Sequence, residues 1–333
     1  MPTIYDVAKA AGVSIATVSR VLNGYPFVAE KTREKVLRAM QELNYSPNLL
    51  AAALMKKNTY TVGLLIPDIS NPFFAEITRG VEDAANKFGF NIIICNTDND
   101  PEKETKYVNL LLQKSVDGLI FATSEIANQN ILMLKERQFP LVLIAREVEG
   151  IEVDVVLADN FQGAYEGVKY LISLGHRRIA FLGESLNIKS TRERQAGYEK
   201  ALQEAGIPVE AELIVTGLKS LEEAYHRMRL FYPKARPTAI FAANDVLAIG
   251  AIRALKELGL SIPRDVSVLG FDDTVFASIA EPPLSSVAQP MRQMGKMAMT
   301  RLISRIRNKE EKCRRIVLPT KLIIRTSTGF YSR

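Results

Sequence analysis

Two sets of side chains in this chain have the residue types and the spacing of binding sites. The first lies in residues 3–23, where small, hydroxyl and apolar side chains surround one arginine: Tyr5, Ser14, Ile15, Ala16, Thr17, Ser19, Arg20 and Asn23. On the outer face of a helix, an arginine can read a guanine edge, and apolar side chains such as Ile15 and Ala16 can contact a thymine methyl group. These residues therefore predict a face that reads the major groove of double-stranded DNA.

The second set follows the ends of short apolar runs further along the chain. Its members are aromatic, cationic, acidic and amide side chains: Asn71, Phe73, Phe74, Arg146, Arg194, Asn244, Asp272 and Gln289. Open parallel sheets bind ligands beyond the carboxyl ends of their strands, so we expect these side chains to converge there. Aromatic rings cover the C–H surface of a sugar and charged groups bond its hydroxyls, which favours a small polyhydroxylated effector. In the structural alternative, Asp272 closes a turn, both phenylalanines are core and both arginines are surface residues.

A helix-turn-helix is predicted to position the first set. Gly12 supplies the positive φ of a tight turn, and Ser14 can cap the second helix, which runs over residues 15–23. A third helix is predicted over residues 30–43. The inward positions of the three helices are apolar at helical spacing: Ile4, Val7, Ala8, Ala11, Val18, Val21, Leu22, Val36, Met40 and Leu43. An ordinary helical hairpin with a solvated outer face is the alternative interpretation.

From Tyr60 onward, short apolar strands alternate with longer helices, a pattern that indicates parallel sheet built from βαβ units. The strands are predicted at residues 61–66, 91–95, 118–122, 141–145, 179–182, 238–242 and 266–270, and the helices at residues 74–88, 102–114, 194–205 and 245–258. The repeated series predicts two similar doubly wound lobes. A later return of the chain through residues 302–307 and 316–322 is expected to join them.

Composition narrows the classes of function. The net charge is +6, and residues 1–60 carry eight Lys and Arg against four Asp and Glu, which suits a polyanion-binding head on a near-neutral body. The chain has no apolar run long enough to span a membrane and no apolar signal region, so we expect no membrane partner and a cytoplasmic location. Neither cysteine has metal or disulfide spacing, and no motif of a nucleotide-binding, metallopeptidase or serine-hydrolase site is present. We therefore expect no metal, no cofactor and no catalytic residue.

The motif D-V-A-x-x-A-G-V-S-x-x-T-V-S-R-V-L-N, which ends at Asn23, closely resembles the DNA-binding head of the lac repressor/galactose repressor (LacI/GalR) family. The body resembles that family's effector domain, which is similar to periplasmic sugar-binding proteins, and Asn71-Pro-Phe-Phe74 resembles the aromatic clamp of ribose-binding proteins. The resemblance implies an α/β protein: an all-α helix-turn-helix head over residues 1–46, a hinge helix over 47–59, and a two-lobed, doubly wound domain over 60–333. It places the lobes at about 60–158 with 291–319 and 159–290 with 320–333.

The resemblance also implies how such a protein works. A homodimeric repressor would bind a palindromic operator, with its hinge helices paired and Leu54 inserted as a wedge into the minor groove. A sugar-like effector, a pentose or a relative of one, would bind between the lobes. Two departures argue against ribose itself: Ala145 stands where the family has an aspartate, and Gly217–Lys219 replaces an acidic and aromatic segment.

Two alternatives remain open. A catabolite-control-type regulator would be activated by a phosphorylated carrier protein, and Ile15, Ala16 and Arg20 resemble the base-reading set of that subfamily. The basic residues that could receive a phosphoprotein, or that could simply form a solvated helix face, are Arg292, Lys296, Arg301, Arg305 and Arg307. A transport-type sugar receptor would explain the body but not the head.

Overall fold

The computed structural model describes residues 2–22, 25–45, 59–122, 129–148, 150–308 and 312–331. The chain forms two compact units, Met1–Thr59 and Tyr60–Arg333, which are called here the head and the body. Two of the predicted DNA contacts, Asn23 and Leu54, lie outside the described residues, as does nearly all of the predicted hinge helix. The roles of these residues stay predictions.

The head contains the predicted helix-turn-helix and third helix. Its helices are α1 (Ile4–Ala11), α2 (Ile15–Leu22) and α3 (Glu30–Glu42). The turn after α1 depends on Gly12, which has a φ of 65°, a conformation that costs glycine little. The side chain of Ser14 accepts a hydrogen bond from the backbone N–H of Thr17 at 3.1 Å and so caps α2, as predicted. Val7, Val18 and Val36 are fully buried and join the three helices in one small core.

The body alternates strands and helices along most of its length. Its strands are β1 (Thr61–Ile66), β2 (Asn91–Asn96), β3 (Gly118–Phe121), β4 (Leu141–Ile144), β5 (Asp154–Ala158), β6 (Ile179–Leu182), β7 (Ile214–Val215), β8 (Ala239–Ala242), β9 (Ser267–Asp272), β10 (Ser285–Ala288), β11 (Arg315–Leu318) and β12 (Lys321–Ile323). Its α-helices are α4 (Pro72–Lys87), α5 (Pro101–Gln113), α6 (Gln129–Glu136), α7 (Asn160–Ser173), α8 (Lys189–Glu204), α9 (Leu221–Ala235), α10 (Asp245–Glu257), α11 (Val275–Ile279) and α12 (Met291–Arg307).

These elements form two lobes, each built on one sheet. The strand order is β11-β5-β4-β3-β1-β2 in the first sheet and β12-β10-β9-β8-β6-β7 in the second. Neighbouring strands are parallel, except that β12 runs antiparallel to β10. The chain passes between the lobes after β5, after β10 and after β11. The two lobes are therefore joined by three short crossings, and the return through β11 and β12 joins them as predicted.

The structure adds elements that the apolar pattern did not indicate, chiefly β5 and α7. Asp154 at the start of β5 breaks the apolar run, and Gly163 and Gly167 make the α7 sequence a poor helix former. Both glycines serve packing, because a Cβ at Gly163 would lie 2.6 Å from the side-chain oxygen of Thr320 and a Cβ at Gly167 would lie 3.0 Å from a Leu269 methyl group. Tertiary contacts outweigh intrinsic propensity in this helix.

A buried ion cluster lies at the end of the first sheet where the strands begin. The carboxylate of Asp154 accepts hydrogen bonds from Arg301 at 2.8 Å and from Arg305 at 2.6 Å, and Asp154 is 1% exposed. The guanidinium groups of Arg301 and Arg305 face inward to Asp154. The hypothesis that these two arginines belong to a receptor face for a phosphoprotein is therefore wrong. The positions that remain on that helix are Arg292, Lys296 and Arg307.

Replacing Asp154 by alanine should destabilise the body by about 3–5 kcal/mol, because two cations would lose a buried counter-charge. Urea unfolding followed by far-ultraviolet circular dichroism measures this change. As a control, Glu82→Ala removes the exposed partner of Arg79, 3.2 Å away, and should cost less than about 1 kcal/mol. A similar small loss for both variants would show that the cluster contributes little.

Candidate functional site

The outer face of α2 carries the predicted base-reading residues of the head. Ile15 is 40% exposed, Ala16 and Arg20 are exposed, and Thr17 and Ser19 are half-buried. Tyr5, on α1, is 67% exposed. Apart from Arg20, the exposed part of this face carries no charge, so base discrimination would combine one strong cationic donor with apolar contacts.

The predicted effector residues lie together in a narrow cleft beyond the carboxyl ends of the strands in both lobes. The cleft is lined by Asn71, Phe73, Phe74, Ala145, Arg146, Glu184, Ser190, Arg194, Asn244 and Asp272. Seven of the eight predicted effector residues belong to this lining, and Gln289 lies directly behind Asp272. The free space is about 30 Å³, which is close to the volume of one water molecule in the liquid. A sugar could enter only if the lobes separated or the lining side chains moved.

On the side of the first lobe, the cleft wall is formed by the start of α4 and the segment after β4. The side chain of Asn71 accepts a hydrogen bond from Phe73 N–H at 3.0 Å and caps α4. The rings of Phe73 and Phe74 meet edge to face, with centroids 5.0 Å apart. Arg146 donates to Oδ1 of Asn99 at 2.8 Å, and its guanidinium lies 4.0 Å from Glu184 of the other lobe. These aromatic residues belong to the core and line the cleft at the same time.

On the side of the second lobe, Arg194 is the central group. Its Nε donates to Asn160 Oδ1 at 3.0 Å, and a terminal nitrogen donates to the carbonyl oxygen of Ala243. Its guanidinium lies over the ring of Phe271, 4.0 Å from the centroid, and 3.7 Å from the carboxylate of Asp272. Arg194 is only 6% exposed, so the alternative that it is a surface residue is wrong. A buried arginine held on three sides is a preorganised hydrogen-bond donor.

The carboxyl groups beside Arg194 are affected by burial and by one another. Burial raises the pKa of Asp272 well above its usual range, and Asp245 raises it further, although Arg194 lowers it. Burial likewise raises the pKa of Asp245 to about 6, against hydrogen bonds from Ser286 and Thr274 that lower it. Two neighbouring acids with raised pKa values are a common feature of binding and catalytic clefts, because desolvation and like charge both favour the neutral form.

Gln289 connects the cleft to the second crossing between the lobes. Its side-chain amide donates to Oδ1 of Asp272 at 2.7 Å, and its backbone N–H donates to the carbonyl oxygen of Asp272 at 3.1 Å. Asp272 itself has a φ of 110°, a strained conformation for a residue other than glycine, of the kind that clusters at functional sites. Two hydrogen bonds therefore connect Asp272 to the segment that crosses between the lobes after β10.

A further ion pair crosses from one lobe to the other beside the cleft, and a second cation of the first lobe shares its carboxylate. Lys189 at the start of α8 donates to Glu147 at 2.6 Å, and Arg315 of the first lobe donates to the same carboxylate at 2.8 Å. Partial burial alone would raise the pKa of Glu147, but the hydrogen bonds from Arg315 and Lys189 bring it below its usual value. The Lys189–Glu147 pair therefore joins the two lobes, while Arg315 holds Glu147 from within the first lobe.

Sequence reasoning missed three polar groups of this site. Glu184 and Ser190 line the cleft, and Asn160 orients Arg194. Glu184 comes two residues after β6, so the rule on carboxyl ends of strands could have found it. No sequence signal indicated Asn160, because its role depends on α7 packing beside α8.

Asn244, one of the predicted effector residues, also caps a helix. Its side-chain oxygen accepts a hydrogen bond from Leu247 N–H at 2.8 Å at the start of α10, a role that leaves its amide nitrogen for a ligand.

Comparison with known proteins identifies the family. The profile of "Bacterial regulatory proteins, lacI family" matches residues 3–48, and that of "Periplasmic binding proteins and sugar binding domain of LacI family" matches residues 59–326. The chain belongs to the LacI family of DNA-binding transcriptional regulators. The resemblance seen in the sequence is thereby confirmed, as is the fold class of a helix-turn-helix head with a two-lobed, parallel-sheet body.

Relatives of the family align along almost the whole chain. The transcriptional regulator DegA of Bacillus subtilis (strain 168) is 44% identical over 330 residues, with 98% of each chain covered. Catabolite control protein A of Priestia megaterium is 41% identical over 329 residues, covering 98% of this chain and 99% of the other. The solved structure of the lac repressor dimer bound to operator and the anti-inducer ONPF has a TM-score of 0.88 and 32% identity, with 98% of this chain and 99% of that chain covered.

The described part of the chain has neither a candidate membrane span nor a candidate metal site. None of the helices there has the length and apolar character needed to cross a membrane. The same residues hold no group of three or more His, Cys, Asp and Glu side chains arranged to bind a metal ion.

The raised pKa of Asp245 predicts how stability changes with pH. Between about pH 4 and 6 the folded protein keeps a proton that the unfolded chain has lost, so the stabilisation from this group is complete below about pH 4 and is lost as the pH rises through about 6. Asp245→Asn cannot titrate. The free energy of unfolding of the wild type minus that of the variant should therefore fall as pH rises across this window. A difference that stays flat or rises would contradict the prediction.

Proposed function

We propose that this protein is a cytoplasmic, homodimeric repressor that binds a palindromic operator and is controlled by a neutral, sugar-like effector in the cleft between its lobes. The observation that carries the proposal is the convergence of two aromatic rings, two arginines, two carboxyl groups and two amides from both lobes on one cleft. Aromatic faces suit the C–H surface of a sugar ring, and the polar groups suit its hydroxyls. We propose no catalytic role, because these groups form a binding surface.

The charges of the cleft favour a neutral ligand over a phosphorylated one. Arg146 faces Glu184 at 4.0 Å, and Arg194 faces Asp272 at 3.7 Å, so each cation has a carboxyl group within the same cleft. A phosphate would have to displace these carboxyl groups or lie beside them, at an electrostatic cost. Hydroxyl groups can accept from the arginines and donate to the carboxyl groups at once. Neutral pentoses, hexoses and their relatives are therefore the preferred effector class.

Binding in the cleft would be coupled to DNA binding through the crossings between the lobes. Arg146 and Phe73 come from the first lobe, whereas Arg194 and Asp272 come from the second, so a ligand held by all of them favours one interlobe arrangement. Gln289 lies on the second crossing and donates a hydrogen bond to Asp272, so a shift of Asp272 would also shift this crossing. By linkage, the effector and the operator must change each other's affinity by the same factor.

A regulator activated by a phosphorylated carrier protein is the second candidate. The observation in its favour is the 41% identity with catabolite control protein A. Against it, Arg301 and Arg305 are occupied by Asp154, and Arg292 and Lys296 both lie near Asp83, at 2.8 Å and 3.6 Å. Most of the cations that a phosphoprotein would need on α12 thus already have carboxylate partners within the body.

A thermal-shift screen of neutral sugars, phosphosugars and nucleobases, with a phosphorylated carrier protein as a separate arm, distinguishes the candidates. The proposal expects stabilisation by at least one neutral sugar, followed by a change in affinity for a duplex selected from a random pool. Stabilisation by the carrier protein alone would favour the second candidate.

In the head, Arg20→Ala should weaken binding to the selected duplex by roughly 1–3 kcal/mol and relax base preference at one position in each half-site. The reason is that Arg20 is the exposed long cationic donor on α2. Binding-site selection with both proteins measures this. Arg38→Ala, on α3, is the matched control and should keep the base preference. A uniform loss over all sequences for Arg20→Ala would make it a phosphate contact instead.

In the cleft, Arg194→Ala should weaken binding of the effector found by the screen by about 1.5–3 kcal/mol, because charge-assisted hydrogen bonds to the effector are lost. The operator affinity of the variant should no longer change when effector is added. Without effector, the variant should bind the operator about as tightly as the wild type does. Lys200→Ala, on the exposed face of the same helix, is the control. An Arg194→Ala protein that responds to the sugar as the wild type does would show that the cleft assignment is wrong.

A further inference from the structure

The end of the first lobe that lies away from the cleft carries an unbalanced set of cations. Because the strands of the first sheet are parallel, α4, α5, α6 and α12 all end where those strands begin, and this end is called here the outer pole. The exposed cations in the described residues of this pole are Lys87, Lys114, Lys135, Arg137, Arg307, Lys312 and Arg314, and the acidic side chains are Asp117, Glu136 and Glu152. Among the described residues of the pole, seven cations against three acids leave an excess of positive charge.

Two contacts place these helix ends side by side. The guanidinium of Arg307, at the end of α12, lies 5.7 Å from the ring centroid of Phe88, which follows α4. Asp117, which precedes β3, accepts a hydrogen bond from the backbone N–H of Thr61, the first residue of β1, at 3.3 Å. The cations at the ends of α4 and α5 thus lie beside the start of β1, and those that precede β4 and β11 continue along the same end of the sheet.

Helix dipoles alone do not account for this charge. Cations near helix C-termini are favourable in any such fold, so the second lobe, which has the same architecture, serves as an internal comparison. At its corresponding end, in the described residues, the cations are Arg177, Arg178, Lys234, Arg236, Lys256 and Arg264, and the acids are Glu204, Glu210, Glu212, Glu257, Asp265 and Glu281. There the charges balance, and several of them pair directly, including Arg178 with Glu212 at 2.6 Å and Arg264 with Asp265 at 3.7 Å.

Chain connectivity indicates what this surface would meet. The segment that joins the DNA-binding head to the body enters at the outer pole of the first lobe, since β1 begins at Thr61. DNA held by the head is therefore tethered to the basic pole and not to the balanced end of the second lobe. A duplex carries a dense row of phosphates, and exposed Lys and Arg side chains neutralise them without regard to sequence.

We propose that the outer pole of the first lobe is a second, sequence-independent DNA contact, which binds the phosphates of duplex flanking the operator. The head supplies base recognition, and the pole adds affinity through release of counterions. The inference rests on the family's DNA binding and does not depend on which effector occupies the cleft.

The test measures the salt dependence of binding for the full-length protein on two duplexes: the selected operator trimmed to the base pairs that the head protects, and the same duplex extended by about 10 base pairs, roughly one helical turn, at each end. The wild type should show a steeper salt slope on the longer duplex. The variant Lys87→Gln/Lys114→Gln/Arg137→Gln should lose that difference and bind the longer duplex roughly tenfold more weakly at low salt, with the shorter duplex unaffected.

The matched control makes the same charge change at the balanced end of the second lobe: Arg177→Gln/Lys234→Gln/Lys256→Gln should behave as the wild type on both duplexes. Equal salt slopes of the wild type on the two duplexes would overturn the proposal. An equal loss of binding on both duplexes for the first variant, or an equal loss in the control, would also overturn it, because the cations would then act through the fold or through total charge.

Discussion

Burying charge requires a partner for each charged group, and this constraint organises the cleft of the body. Arg194 is enclosed by Asn160, the Ala243 carbonyl, Phe271 and Asp272, and it could not remain charged there without them. Asp272 in turn accepts a hydrogen bond from Gln289. Burial raises the pKa values of both Asp272 and Asp245, and repulsion adds to each shift, from Asp245 on Asp272 and from Asp273 on Asp245. The result is a set of donors and acceptors fixed before any ligand arrives, which lowers the entropic cost of binding.

The same constraint joins the two lobes across the cleft. Arg146 pairs with Glu184 and Lys189 pairs with Glu147, each across the cleft, while Arg315 holds Glu147 from within the first lobe. An effector would compete with some of these contacts and replace others. The Asp154 cluster, by contrast, lies wholly within the first lobe and attaches α12 to its sheet. One kind of interaction, the buried or half-buried ion pair, thus stabilises contacts within one lobe and contacts between the two lobes.

Much of the fold could be predicted where one local pattern dominated. The apolar spacing around Gly12 indicated the helix-turn-helix, and the short apolar runs indicated four of the six strands in the first sheet and three of the six in the second. Prediction failed for β5 and α7, where the strand begins with a charged residue and the helix contains glycines at its packing surface. It also failed for Arg301 and Arg305, because a basic helix face looks solvated in sequence when its counter-charge, Asp154, is almost 150 residues away.

The sequence by itself determined the class of the protein and most of the cleft. The head was predicted from one long motif, which is read from neighbouring residues alone. The cleft residues were predicted from their positions after strand ends, which requires only that the strands be parallel. Only the tertiary structure decided which groups orient others. Asn160 holds Arg194, Gln289 holds Asp272, and Glu184 reaches Arg146 across the cleft. The physical reason is that burial, pairing and pKa are properties of a three-dimensional environment, made here by segments from distant parts of the chain that meet only when both sheets and their crossings have formed.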